Sequence, residues 1–70
     1  MSNKDEYRVE AIEELLYRIN SLADEYANMR DEYAYYERYE LANEYDEKML
    51  VCSQFADILK SSIELIKNKE

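Results

Sequence analysis

Ile12, Leu15, Ile19, Leu22, Tyr26, Met29, Tyr33 and Tyr36 follow one another by alternating steps of three and four residues. That spacing places eight large side chains along one stripe of an α-helix over four heptads, whereas a strand would alternate every second residue. The chain has no Gly and no Pro, the residues that most often end helices. Glu, Leu, Ala, Lys and Arg, all good helix formers, dominate the remainder. Val9, Leu16 and Ala23 widen the stripe on one side. The fold class predicted is therefore all-α.

Carried further, the same frame puts Glu40, Asn43 and Glu47 in the seam, and there it fails. A second frame starts at Tyr45 and runs through Met49, Cys52, Ala56, Leu59, Ile63 and Ile66. Tyr36 and Tyr45 are nine residues apart, where a regular coil needs seven and a stammer or stutter ten or eleven. At about 100° per residue, two surplus residues turn the apolar face nearly to the opposite side. A chain break reconciles the two stripes. Asn43 suits a left-handed helix end, and Asp46 suits the N-cap of a second helix.

The reading is a single helical domain over residues 1–70. A long first helix covers about 4–42, a turn about 43–46, and a second helix about 46–68. Ser2 with Asp5, or Asn3 with Glu6, would cap the first helix. Lys67 and Lys69 suit the negative end of the second. Val51, Ile58 and Leu65, seven apart, broaden the second stripe beyond what one neighbour covers, with Phe55 between them and the seam. The architecture expected is an antiparallel two-helix hairpin that dimerises into a coiled coil or four-helix bundle. Its oligomer core would comprise Ile12, Leu15, Ile19, Leu22, Tyr26, Met29, Tyr33, Tyr36, Phe55, Leu59, Ile63 and Ile66. A single unbroken helix in a parallel coiled coil is the alternative.

Charge narrows the function. Lys plus Arg is 9 and Asp plus Glu is 17, a formal net charge of −8. Such a chain is repelled by nucleic acid and by anionic membrane surfaces, and it favours a basic partner. There is no His, so no imidazole base or zinc–histidine cluster is available. The single Cys, Cys52, excludes a disulfide framework and reads as a small buried apolar residue. Without Gly no glycine-rich loop can cradle a phosphate. No uncharged run is long enough to span a bilayer, and no secretory signal is visible. The expectation is a cytoplasmic protein with no catalytic residues, no cofactor and no metal.

The acids are unevenly placed. Residues 5–47 carry 14 acids and 4 bases, while residues 48–70 carry 3 acids and 4 bases. Asp24-Glu25-Tyr26-Ala27 recurs one heptad later as Asp31-Glu32-Tyr33-Ala34. If the first helix continued, Tyr35 and Tyr39 would point outward with Asp24 and Asp31. Glu37, Glu40, Glu44 and Glu47 would share one face. Carboxylates one helical turn apart repeat at ~5–6 Å, comparable with the spacing of phosphates along a nucleic acid. Exposed tyrosines add apolar contact area with little side-chain entropy to lose. The candidate partner-binding set is Asp24, Glu25, Asp31, Glu32, Tyr35, Glu37, Tyr39, Glu40, Glu44 and Glu47.

These features lead to a small acidic inhibitor or modulator of a basic, nucleic-acid-binding protein. In size and charge, though in no shared motif, the chain resembles the anti-restriction and anti-CRISPR proteins of phages. A structural coiled-coil adaptor is a second expectation. A third comes from Ser53-Gln54-Phe55-Ala56-Asp57, followed by Leu59. This stretch partly resembles the Ser-Gln-Glu-Leu-Asp motif of small sporulation-type aspartyl-phosphate phosphatases, which are also helical hairpins. Ser53, Gln54 and Asp57 match, Phe55 and Ala56 depart, and the Gly-containing loop that precedes the motif in that family is missing. The resemblance covers about one tenth of the chain and would imply a role for Asp57 in releasing phosphate from a response regulator.

Overall fold

The computed structural model describes residues 2–69. Two helices, α1 (Asn3–Tyr35) and α2 (Tyr39–Lys67), account for 91% of it. They lie antiparallel in a hairpin of 52 × 14 × 10 Å. The pattern of alternating three- and four-residue steps thus forms helices as the sequence predicts, and the unbroken-helix alternative is set aside.

Ser2 caps α1: its Oγ accepts a hydrogen bond from the Asp5 N–H at 3.2 Å, and Asp5 and Glu6 sit in the positively polarised first turn. At the same end of the hairpin, opposite the turn, Lys67 occupies the last turn of α2.

The connection departs from expectation. The turn lies at residues 36–38, about seven residues before the expected 43–46. Asn43 and Asp46 lie inside α2, both exposed, and neither ends nor caps a helix. Instead Tyr36 is the C-cap of α1, and Glu37 takes the left-handed conformation at φ 61°. The Arg38 N–H donates to the Tyr33 carbonyl at 2.8 Å, and the Glu37 N–H donates to the Ala34 carbonyl at 3.0 Å. This pair of bonds is a Schellman ending, whose left-handed residue is usually Gly. With no Gly in the chain, a glutamate carries that conformation.

The seam also sits slightly around the helix from the predicted one. On α1 the residues facing α2 are Val9, Ile12, Leu16, Ile19, Ala23, Tyr26, Arg30 and Tyr33, all buried or half-buried. Val9, Leu16 and Ala23, expected to widen the stripe, therefore form its inner half. Leu15, Leu22 and Tyr36 are exposed, Tyr36 at 66%, so they are not core residues of the hairpin. On α2 the second frame holds: Cys52, Ala56 and Leu59 are buried, with Tyr45, Met49, Ile63 and Ile66 half-buried. Cys52 is a free, buried thiol. The small side chains of Ala42, Cys52 and Ala56 are among the most buried, which lets the helix backbones approach closely.

Near the turn the seam becomes aromatic. The Tyr45 ring stacks on Tyr33 with centroids 5.6 Å apart and meets Tyr26 at 5.8 Å. Lys48 Nζ stands 4.6 Å from the Tyr45 centroid, within cation–π range. Arg30 closes the seam beside them. It donates to Asp46 Oδ1 across the hairpin at 3.1 Å and to Asp31 Oδ1 on its own helix at 3.1 Å. Hydrogen bonding to Asp46, then to Asp31, pushes the Arg30 pKa up from its ordinary value. Among the described residues no helix is long and apolar enough to cross a membrane.

Candidate functional site: the acidic, tyrosine-rich turn end

The turn sets which acidic residues come together. Tyr35 ends α1, Tyr36 and Glu37 form the turn, and Tyr39 opens α2. Tyr35 is 80% exposed and Tyr39 62%. The rings of Tyr35 and Tyr36 meet edge to face at 5.1 Å, so the tip carries an ordered aromatic pair facing solvent. Beside it lies an open concavity of about 310 Å³ lined by Glu37, Arg38, Tyr39, Glu40 and Leu41.

Glu40, Glu44 and Glu47 run along one exposed line of α2 at steps of four and three. Glu37 does not join their helix, contrary to the expected four-glutamate face; it sits in the turn just ahead of them. Tyr35 and Tyr39 likewise lie on different helices. Asp24 and Asp31 share an outer row of α1, seven residues apart, and Glu25 and Glu32 share the next. The ten predicted residues are all exposed, but they are divided among two helices and the turn.

Most of these carboxylates are not engaged by the chain's own bases. Among the described residues Asp31 alone of the ten forms an ion pair, with Arg30 at 3.0 Å. The other pairs use Asp5, Glu14 and Asp46. Asp24, Glu25, Glu32, Glu37, Glu40, Glu44 and Glu47 face solvent unpaired among the described residues.

Two members of the tip were missed in the sequence. Tyr36 completes the first frame and so reads as inward, and nothing in the spacing marks Arg38. The nine-residue interval between Tyr36 and Tyr45 brackets both, and a break at its start, close behind Tyr36, frees that ring from the seam.

Ser53, Gln54 and Asp57 are exposed on α2, away from the turn. Among the described residues no three His, Cys, Asp or Glu side chains are grouped to hold a metal ion. No protein-family model, curated protein or solved structure matches the chain.

Proposed function

We propose that the protein is a small binding module whose turn end docks onto a basic surface of a nucleic-acid-binding partner, in place of the nucleic acid. The observation that carries this reading is Glu37. A non-glycine residue in the left-handed region costs about 1 kcal/mol or more. Glu37 holds that conformation within the turn, exposed, next to Tyr36 and ahead of Glu40, Glu44 and Glu47 in the chain. A turn selected only to join two helices would have a cheaper residue there. This one projects a carboxylate instead.

The other features of the tip support the same reading. Unpaired carboxylates one helical turn apart repel one another by a few tenths of a kcal/mol per pair, and a Lys- or Arg-lined groove relieves that repulsion. The exposed rings of Tyr35, Tyr36 and Tyr39 offer faces for arginine guanidinium groups. The partner is thus a protein with a cationic groove, and no catalytic step is assigned to this chain.

The test is capture of partners from native lysate on the tagged full chain, followed by mass spectrometry and competition. Nucleic-acid-binding proteins should be enriched and displaced by added duplex or single-stranded nucleic acid. Retention that ignores nucleic acid, or enrichment only of helical proteins lacking a basic groove, overturns the reading in favour of a coiled-coil adaptor.

A further inference from the structure

One broad side of the hairpin is apolar and uncovered. Ile19 of α1 and Val51, Cys52 and Phe55 of α2 line a shallow concavity of about 220 Å³ with apolar walls. Leu15 and Leu22 lie one turn to either side of Ile19, and both are exposed. On α2 the row continues from Val51, 59% exposed, to Ile58, 60% exposed, and on to Leu65. None of these four exposed α2 side chains, Phe55 included, is needed to close the hairpin.

We infer that this face is covered by a second copy of the chain, with the two turns at opposite ends, giving an antiparallel four-helix bundle. Three observations specify a second copy in that orientation. The first is area. A globular chain of 8.5 kDa exposes about 4,700 Å². This hairpin exposes 5558 Å², an excess of about 900 Å². Each partner in a standard interface contributes about 800 Å².

The second is charge. Residues 20–50, the turn half, hold nine acids and three bases, a net −6. The described remainder holds seven acids and six bases, a net −1. Pairing the copies with turns together would set −6 against −6. Pairing them with turns apart lays each acidic half along the half that carries Lys4, Arg8, Lys67 and Lys69.

The third is register. The helices run antiparallel, so positions further along α1 meet positions further back on α2, and Arg30–Asp46 and Tyr33–Tyr45 mark where they meet. In the turns-apart arrangement each helix lies antiparallel to its own copy. The overlap that sets Leu15 opposite the partner's Leu22, carried through those hairpin pairs, also sets Ile58 opposite the partner's Ile58 and Val51 opposite the partner's Leu65. One placement therefore matches large apolar side chains on both helices, as a two-fold interface requires.

Light scattering on the full chain should give twice the 8.5 kDa chain mass. The double variant Phe55→Glu/Ile58→Glu should give the single mass with unchanged helicity by circular dichroism. Leu15→Glu, on the other helix, serves the same purpose should the double variant lose helicity. Orientation is read from electron–electron distances between spin labels on Arg38→Cys in a Cys52→Ala background. Turns apart predict a separation near the 52 Å length of the hairpin, and turns together predict less than half of it. A monomeric wild type, a dimer indifferent to the face substitutions, or a short label distance each overturns the inference.

Discussion

Arg30 on α1 reaches across the hairpin to Asp46 on α2, a hydrogen-bonded ion pair of 3.1 Å between residues sixteen apart in sequence. Arg30 holds the place that Val9, Leu16 and Ala23 hold in earlier heptads, so a charge stands where the row is otherwise apolar. Its guanidinium also touches Met49 Sδ at 3.4 Å. Slipping α2 by one residue would separate both contacts while leaving apolar side chains able to repack. Arg30 therefore fixes register more than it adds stability, as polar groups do in other helical seams. Arg30→Met should retain helicity and broaden the amide NMR spectrum near Tyr45 through exchange between registers. A single sharp set of resonances in the variant would contradict this.

The turn is tuned away from maximal stability. Glu37→Gly removes the left-handed penalty and should raise unfolding free energy by about 1 kcal/mol in urea titration. Arg38 is the N-cap of α2 and supplies no side-chain cap. Arg38→Asp should add about 1 kcal/mol more by accepting from the open N–H groups of the first turn. A loss of stability in either variant would show that the strained turn is held by contacts beyond its backbone.

Tyr45 should matter far more than Tyr35, although both are tyrosines in the same acidic region. Tyr45 is half-buried against Tyr26, Tyr33 and Lys48, and Tyr45→Ala should cost about 2 kcal/mol. Tyr35 touches only Tyr36 among the rings and is nearly all in solvent, so Tyr35→Ala should change stability by no more than about 0.5 kcal/mol. Equal effects in thermal denaturation at one protein concentration would contradict the assignment of Tyr45 to the seam and Tyr35 to the surface.

Cys52 should react with a thiol reagent only through opening of the hairpin, because it is buried beside Ala56. Its labelling rate should rise steeply with urea in step with the loss of helicity. Fast labelling in native buffer would place Cys52 outside the core.

The helices were legible because periodicity is a property of many residues at once. Twelve of the fifteen positions in the two frames are buried or half-buried, and Leu15, Leu22 and Tyr36 are exposed. Tyr36 fails for a local reason. A left-handed helix end is ordinarily announced by Gly or Asn, and here Glu37, which has no preference for it, takes the role. The expected turn followed Asn43, the residue with the right intrinsic conformation. Tertiary packing decided otherwise: breaking at 36–38 brings Tyr45 onto Tyr33 and Tyr26 and leaves Ala42 buried, which a break at 43–46 could not do. The acidic site was legible as composition but not as shape, since its parts converge only once the chain reverses at Glu37.

The most direct measurement of the central claim is the salt dependence of binding to the captured basic partner, compared between the wild type and Glu40→Lys/Glu44→Lys/Glu47→Lys. These three side chains are exposed and unpaired among the described residues, so the triple variant should keep its helicity. Wild-type affinity should fall steeply and linearly as log affinity against log salt, and the variant should show no binding. A flat salt response, or a variant that binds as well as the wild type, would show that the acidic turn end serves only as a solvated surface.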